Sequence, residues 1–224
     1  MTVKNMKKSL CMEIFHGISI FVSLLEATTI KPKFINKVHF QVYDGIPPHQ
    51  QKALTARYVV HKSDWGVIGT ISTHFGRQGL PFTNVMSFCD GPLDNSTGIP
   101  YAYVVDLDVS MQDVKKNDNV SVTLTEMETE YCLSKHYDAE DPRCARVTLF
   151  GKLLPVKDER EKHFALKAIF SRHPYLKIGE KSHAFYPVKL QIDSVWMMDY
   201  FGGGSLVPLK EYFDADPVNL QQAN

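Results

Sequence analysis

Hydrophobic and polar residues alternate along several short stretches of the chain, which is the pattern of half-buried β-strands. The stretch 120–127, VSVTLTEM, alternates most strictly. Residues 185–200 predict either a pair of strands or one long bent strand, which a run of three glycines at 202–204 ends. The same reasoning predicts further strands at 65–73, 81–89, 101–107 and 146–156.

Two longer stretches have helical spacing instead. Residues 49–62 follow a pair of prolines that favours a helix start, and residues 158–172 begin with three acids that suit a helix N-terminus. A third, shorter helix is predicted after Val207. Short strands at regular intervals with few helices favour a mainly β fold, a barrel with flanking helices outside it.

The N-terminal residues are typical of a secretory signal peptide. Residues 1–9 are basic, residues 14–25 are mostly apolar, and small residues follow up to Ala27. The apolar run is shorter than the roughly 20 residues that span a bilayer, although an uncleaved signal anchor is the alternative. We therefore expect a signal peptide at 1–27, a linker at 28–47, a globular domain at 48–213 and a tail at 214–224.

If the protein is secreted, two tripeptides become candidate sites of N-glycosylation. Asn95-Ser96-Thr97 and Asn119-Val120-Ser121 are N-glycosylation sequons, and each lies beside turn residues that should be exposed. Chance occurrence is the alternative. The interpretation predicts a secreted or endolysosomal glycoprotein with glycans on Asn95 and Asn119.

Three cysteines remain after the predicted cleavage. Cys132 and Cys144 bracket a polar loop, and an oxidising compartment would favour a disulfide between them, the alternative being two unpaired thiols on strand ends. Cys89 has apolar neighbours in an alternating stretch and is predicted to be a small buried residue.

Composition excludes several classes of protein. Lys+Arg 25 balance Asp+Glu 25, so we expect no nucleic-acid partner. A hydrophobic content of 44% and a charged content of 22% exclude a disordered chain or a coiled coil. No second apolar run is long enough for stable membrane insertion, and the scattered histidines show no zinc spacing.

Candidate chemistry is sparse. No phosphate-binding loop and no serine-hydrolase elbow occurs. The triple glycine either binds an anion or forms a tight turn. Two further groups of residues each allow a functional and a structural interpretation. The polar residues His61, Asp64 and His74 form either a proton relay or helix caps. The aromatic residues form either a ligand-stacking surface or part of the core or a subunit interface: Phe185, Tyr186, Trp196, Tyr200 and Phe201.

Six short motifs occur in order along nearly all of the predicted mature chain. Together they resemble the CREG family, the cellular repressors of genes stimulated by a viral early protein. The motifs are Ser63-Asp64-Trp65-Gly66, Thr70-Ile71-Ser72-Thr73, Asp90-Gly91-Pro92, Gly98-Ile99-Pro100-Tyr101, Arg172-His173-Pro174 and Asp199-Tyr200-Phe201-Gly202-Gly203.

The resemblance implies more than the spacing does. CREG proteins are secreted or lysosomal glycoproteins with the split β-barrel of flavin-dependent pyridoxamine-phosphate oxidases, and they form homodimers. They are regarded as lacking flavin and oxidase activity, and are linked to growth restraint and differentiation. A mannose-6-phosphate/insulin-like-growth-factor-II receptor that reads phosphorylated glycans is a proposed partner.

A comparison with flavin-binding relatives tests whether the residues of this chain could hold a flavin phosphate. Their phosphate-holding positions correspond here to Val105, Leu107, Ser110 and Asp113, while Arg57 lies where such proteins keep a phosphate-contacting arginine. Val105 cannot donate a hydrogen bond, and Asp113 would repel a phosphate. We therefore expect a degenerate pocket with no bound cofactor and a role in partner binding. An FMN-dependent oxidoreductase is the alternative, while the neutral charge and the signal peptide disfavour a nuclear regulator.

Overall fold

The computed structural model describes residues 45–179 and 184–220. The predicted signal peptide and most of the predicted linker lie outside the described residues. Seven strands are described: β1 Trp65–Ile71, β2 Pro81–Ser87, β3 Tyr101–Val104, β4 Asn119–Thr125, β5 Arg146–Pro155, β6 Tyr186–Met198 and β7 Gly204–Val207. The helices are α1 Lys52–Lys62, α2 Val109–Val114, α3 Glu130–Ser134, α4 Glu159–Arg172, α5 Leu176–Gly179 and α6 Leu209–Asp214, with a 3-10 turn at Glu126–Glu128.

All the strands join one antiparallel sheet in the order β2-β1-β4-β5-β6-β3, and β7 also pairs with β6. The longest pairing, between β5 and β6, contains a bulge at Phe150/Gly151. A Cβ at position 151 would collide with the carbonyl of Gln191, so the strands can approach here only because residue 151 is glycine.

The core lies on one face of the sheet, where alternate residues such as Ile68, Val122 and Leu149 are fully buried. Helix α1 packs over this face with its central residues buried. A second, smaller cluster lies between β3 and α4, where Ala165 and Ile169 pack near Tyr103. Burial of these side chains supplies the main favourable free energy of folding.

The structure confirms most of the predicted elements. The helix predicted at 49–62 starts at Lys52, and residues 158–172 form α4, in which the Asp158 side chain caps the N-terminus by accepting from the N–H of Glu161. Residues 185–200 form one long strand rather than a pair.

One predicted strand is wrong in part. The strand predicted at 101–107 ends at Val104, because the next residues turn into α2, whose first turn is capped by Asp108. None of the helices in the described ranges combines the length and the apolar character that a bilayer crossing needs.

Candidate functional site

Arg57, the predicted phosphate contact, lies inside the protein on α1 with 3% of its surface exposed. Its Nη1 donates to the carbonyls of Tyr212 at 3.1 Å and Phe213 at 3.2 Å. Its Nη2 donates to the carbonyl and the hydroxyl of Ser96, both at 2.9 Å. The buried Nε has no hydrogen-bond partner, and it faces Gly98, where even a Cβ would lie only 2.7 Å away. The protein itself thus fills the surroundings of the guanidinium.

Asp90 lies beside this arginine and is completely buried. Its Oδ1 lies 2.7 Å from Nδ1 of His61, while its Oδ2 accepts from the Ser96 hydroxyl at 2.5 Å and from the Gly98 N–H at 3.0 Å. Burial opposes the charge, but these hydrogen bonds and the charge of His61 hold the pKa of Asp90 below its ordinary value. Asp90 is therefore ionised and internally neutralised.

His61 completes this Asp90 cluster, which comprises Arg57, His61, Asp90 and Ser96. The second ring nitrogen of His61, Nε2, lies 3.1 Å from the carbonyl of Leu93. His61 thus contacts Asp90 through one ring nitrogen and the carbonyl of Leu93 through the other, and it forms a buried pair with Asp90. Ser96 and Asp90 link the four side chains, and apart from the Arg57 Nε, which Gly98 covers, their polar groups are already bonded within the protein.

Asp113, the second predicted pocket position, is completely buried on α2. Its Oδ2 accepts from the Thr70 hydroxyl at 2.9 Å, and its Oδ1 accepts from the N–H and the hydroxyl of Thr73, both at 2.7 Å. Nε2 of His74 lies 3.5 Å away. Burial opposes ionisation, but the hydrogen bonds from Thr73 and Thr70 lower the pKa of Asp113. The carboxylate thus fixes the end of β1 to α2.

The remaining pocket positions lie near Asp113 along the chain. Ser110 is also buried, and its hydroxyl accepts from Nδ2 of Asn84 at 3.1 Å, while Val105 is half-buried before α2. Ser110 and Asp113 therefore attach α2 to β1 and β2, whereas Arg57 bonds to Ser96 and α6. A buried anion at 113 and an arginine already paired with carbonyls do not fit a flavin phosphate.

His61, Asp64 and His74 make three separate contacts, so the proton-relay interpretation is wrong. His61 pairs with Asp90, and His74 faces Asp113. Asp64 accepts from Nε and Nη2 of Arg172 at 2.9 and 2.6 Å, and the same arginine donates to the carbonyl of His61 at the end of α1. Arg172 thus satisfies carbonyls that the helix end leaves open.

Both sequon asparagines are exposed. Asn95 closes a turn in which its N–H donates to the carbonyl of Pro92 at 2.9 Å. Asn119 starts β4, and its Nδ2 donates to the side chain of Asn117 at 2.8 Å. Their positions are compatible with glycans, and occupancy stays a prediction.

The structure joins Cys132 and Cys144 in a disulfide. Cys132 lies on the short helix α3, in a segment where the sequence predicts only a strand end and a polar loop. Cys89 is buried, as the sequence predicts, and burial raises the pKa of its thiol to about 12, which disfavours the thiolate form. Within the described ranges, no group of three or more potential ligands is arranged to hold a metal ion.

The predicted aromatic group divides among different places, so it forms no single stacking surface. Phe185 stacks on Tyr103 at 5.1 Å between ring centroids. The Tyr186 hydroxyl donates to Asp106, and Tyr200 packs on His49 at 4.5 Å.

The face of the sheet opposite α1 carries a row of uncharged side chains that crosses six strands. The strand registers place Val85 beside Val67, Thr123 beside Thr148, and Trp196 beside Leu206. The exposed fraction is 63% for Val85 and 69% for Leu206 at the two ends of the row. We call this row the outer face: Val85, Val67, Thr123, Thr148, Trp196 and Leu206.

Comparison with known proteins places this geometry in a family. A family model described as CREG, beta-barrel, matches residues 47–214. The chain belongs to the CREG family. Protein CREG1 of Gallus gallus is 38% identical over 174 residues, which make up 77% of this chain and 90% of that protein. Human protein CREG2 is 41% identical over 177 residues, 79% of this chain and 61% of that protein. The predicted family is thus confirmed.

Solved structures agree on the fold. A heme binding protein from Mycobacterium smegmatis has a TM-score of 0.58 and 17% identity, over 77% of this chain and 62% of that one. The Agrobacterium tumefaciens protein Atu2129 has a TM-score of 0.57 and 19% identity, over 76% and 63% of the two chains. This CREG-family chain therefore spans less than two thirds of either structure. The predicted class is confirmed: the chain is mainly β with flanking helices and has a split β-barrel fold.

Proposed function

We propose that this CREG-family chain is a secreted or endolysosomal glycoprotein without flavin that regulates cell growth and differentiation by binding a receptor or partner. The observation that carries the proposal is the pairing of Arg57 and Asp113 with their own chain. A flavin phosphate would have to displace carbonyl oxygens from Arg57 and approach a buried carboxylate at Asp113. A surface, rather than a cofactor, then supplies the activity.

The proposal includes a homodimer formed through the outer face. Uncharged residues on six adjacent strands offer a surface that a second copy could cover, and Trp196 is of a type that is enriched at interfaces. The central pair of the row, Thr123 and Thr148, bond to each other through their hydroxyls at 2.9 Å and so present little unsatisfied polar surface. A like surface on the partner fits two-fold symmetry.

Glycans on Asn95 and Asn119 form the second part of the proposal, with a glycan-reading sorting or growth-factor receptor as the partner. Both asparagines are exposed and neither is part of the outer face. Asn119 lies on the same face of β4 as Thr123 but at the start of the strand, so a glycan there would stand at the edge of the proposed dimer surface.

The absorption spectrum of the protein secreted from insect cells expressing the full chain tests the absence of flavin. We expect a colourless protein that shrinks on glycosidase treatment and does not bind added FMN. A yellow protein with a flavin spectrum would overturn the proposal in favour of an FMN-dependent oxidoreductase. In that case Arg57→Ala should abolish flavin binding, with Arg77→Ala, at an exposed position in the β1–β2 turn, as the matched control.

The size of the secreted protein in solution tests the dimer separately. Light scattering should give twice the mass of one chain. A monomer at micromolar concentration would overturn the assignment of the outer face and leave the absence of flavin unaffected.

A further inference from the structure

Two carboxylates lie in the interior where the chain enters α1. Glu126, in the 3-10 turn, is 2% exposed, and its Oε2 accepts from the N–H of Ala145 at 3.0 Å. The Asp199 side chain, just after β6, is 1% exposed. Its Oδ1 lies 2.6 Å from Nδ1 of His49, while its buried Oδ2 has no hydrogen-bond partner. Besides burial, the charge of Asp199 raises the pKa of Glu126.

His49 connects these acids to the segment before α1. Its ring pairs with Asp199 on one side and packs against Tyr200 on the other, with 4.5 Å between ring centroids. The next residues lead directly into α1, since the N–H of Gln51 donates to Pro48 and the N–H of Thr55 to Gln51. His49 thus ties residues 46–51 to the end of β6, 150 residues away along the chain, while Ile46 and Pro47 of the same segment pack toward the core.

Few other charges face the two carboxylates. On α1, the charge of Lys52 lowers the pKa of Asp199, although the Lys52 ammonium donates its hydrogen bond to Ser205 at 2.8 Å. The phenol of Tyr58, on the same helix, has its pKa raised in part by the charge of Glu126. On α3, the charge of Glu126 contributes to the raised pKa of Tyr131, and the neighbouring Cys132–Cys144 disulfide carries no charge. When both acids are ionised, one partly exposed histidine must therefore neutralise two buried negative charges.

Burial and the charge of Asp199 raise the pKa of Glu126 to about 7, although the hydrogen bond from the N–H of Ala145 acts to lower it. Burial also raises the pKa of Asp199, although the hydrogen bond and charge of His49 act in the opposite direction. When Glu126 is protonated, Asp199 is the one negative charge of the two acids, and His49 is its partner. When Glu126 loses that proton, the interior contains a second negative charge. Movement of His49 and Asp199 out of the interior would reduce the resulting electrostatic cost.

We propose that Glu126, Asp199 and His49 form one proton-dependent clasp, which holds residues 46–51 on the end of β6 in an acidic compartment and loosens them near neutral pH. None of the residues of the clasp belongs to the outer face or to the Asp90 cluster, so only the compartment in which it would act rests on the proposed function. It would make the start of the domain more ordered in an endolysosome than outside the cell.

Amide hydrogen exchange of the intact wild-type protein tests the clasp directly. Protection factors, corrected for the intrinsic exchange rate at each pH, should fall at least tenfold for a peptide covering residues 46–55 between pH 5.5 and 7.5. A peptide covering β5 should lose much less protection, because β5 is paired on both sides. Equal protection of residues 46–55 at the two pH values would overturn the proposal.

Variants test the residues. In Glu126→Gln the pH-dependent loss of protection at residues 46–55 should disappear, whereas Glu140→Gln, at an exposed position in the loop that the Cys132–Cys144 disulfide closes, should behave like wild type. In Asp199→Asn the midpoint of the Glu126 titration should move to lower pH, since the repelling charge is gone. If Glu126→Gln retained the full pH dependence, or Asp199→Asn left the midpoint unchanged, the clasp would be refuted.

Discussion

Nδ1 of His61 lies 2.7 Å from Oδ1 of Asp90, and both side chains are at most 1% exposed. The pair joins the last turn of α1 to the loop that follows β2, and the second ring nitrogen of His61 adds a bond to the carbonyl of Leu93. A buried ion pair of this kind contributes little net stability by itself, but each charge becomes costly when its partner is removed.

Asp90→Ala should therefore destabilise the protein by about 3–5 kcal/mol, the range observed when one member of a buried pair is lost. The substitution removes the buried partner of His61 Nδ1 and the acceptor for Ser96 and Gly98. Urea denaturation followed by tryptophan fluorescence measures the change. Asp94→Ala, at an exposed position in the same loop, should differ from wild type by about 0.5 kcal/mol or less. Equal effects of the two substitutions would contradict the buried pair.

The stability of the protein should be highest in mildly acidic solution. Asp90 and Asp113 have pKa values below the ordinary 3.8, so the stability they contribute is present above that value and is lost as the pH falls through their folded pKa. Glu126 and Glu128 have pKa values raised from 4.5 to about 7, chiefly by burial, so their contribution is present below 4.5 and is lost as the pH rises through about 7. Denaturation curves from pH 3 to 8 should therefore show a maximum near pH 5.

Glu128 should account for part of the neutral side of this curve. Its Oε2 accepts from the N–H groups of Asp64 and Trp65 at 3.0 and 3.2 Å, while its buried Oε1 has no hydrogen-bond partner. Glu128→Gln keeps an oxygen for both N–H groups and cannot ionise, so the fall in stability between pH 5.5 and 8 should become shallower. Thermal unfolding at several pH values measures the slope, with Glu130→Gln, which is exposed, as the control. An unchanged slope would show that Glu128 is not a source of the pH dependence.

Local sequence patterns predicted most of the longer helices and strands, whereas features that depend on contacts between distant segments could not be predicted. Helix α4 was predictable because its capping acid and its apolar stripe are local. Strand β7 was missed because Gly202 and Gly203 have positive φ angles and reverse the chain, and position 204 has to be glycine since a Cβ there would collide with Trp196. A glycine run in the sequence indicates only a break.

The candidate site shows the same limit. Arg57 was predicted as a phosphate contact because its charge suits one, yet the carbonyls that occupy it come from Tyr212 and Phe213, more than 150 residues away. Spacing gave no reason to pair His61 with Asp90, because their separation of 29 residues matches no local motif. Which charges neutralise each other becomes visible only when the sheet brings distant segments together.

A charge placed on the outer face should prevent dimer formation. Leu206→Arg puts a guanidinium beside Trp196 on a surface that the proposed partner would cover, and burying an unpaired charge there costs several kcal/mol. Light scattering at micromolar concentration should show a dimer for wild type and a monomer for the variant. Leu107→Arg changes a side chain that is equally exposed, at 71%, but lies before α2 and outside the outer face, so this variant should remain dimeric. A monomer from both variants, or a dimer from both, would place the interface elsewhere.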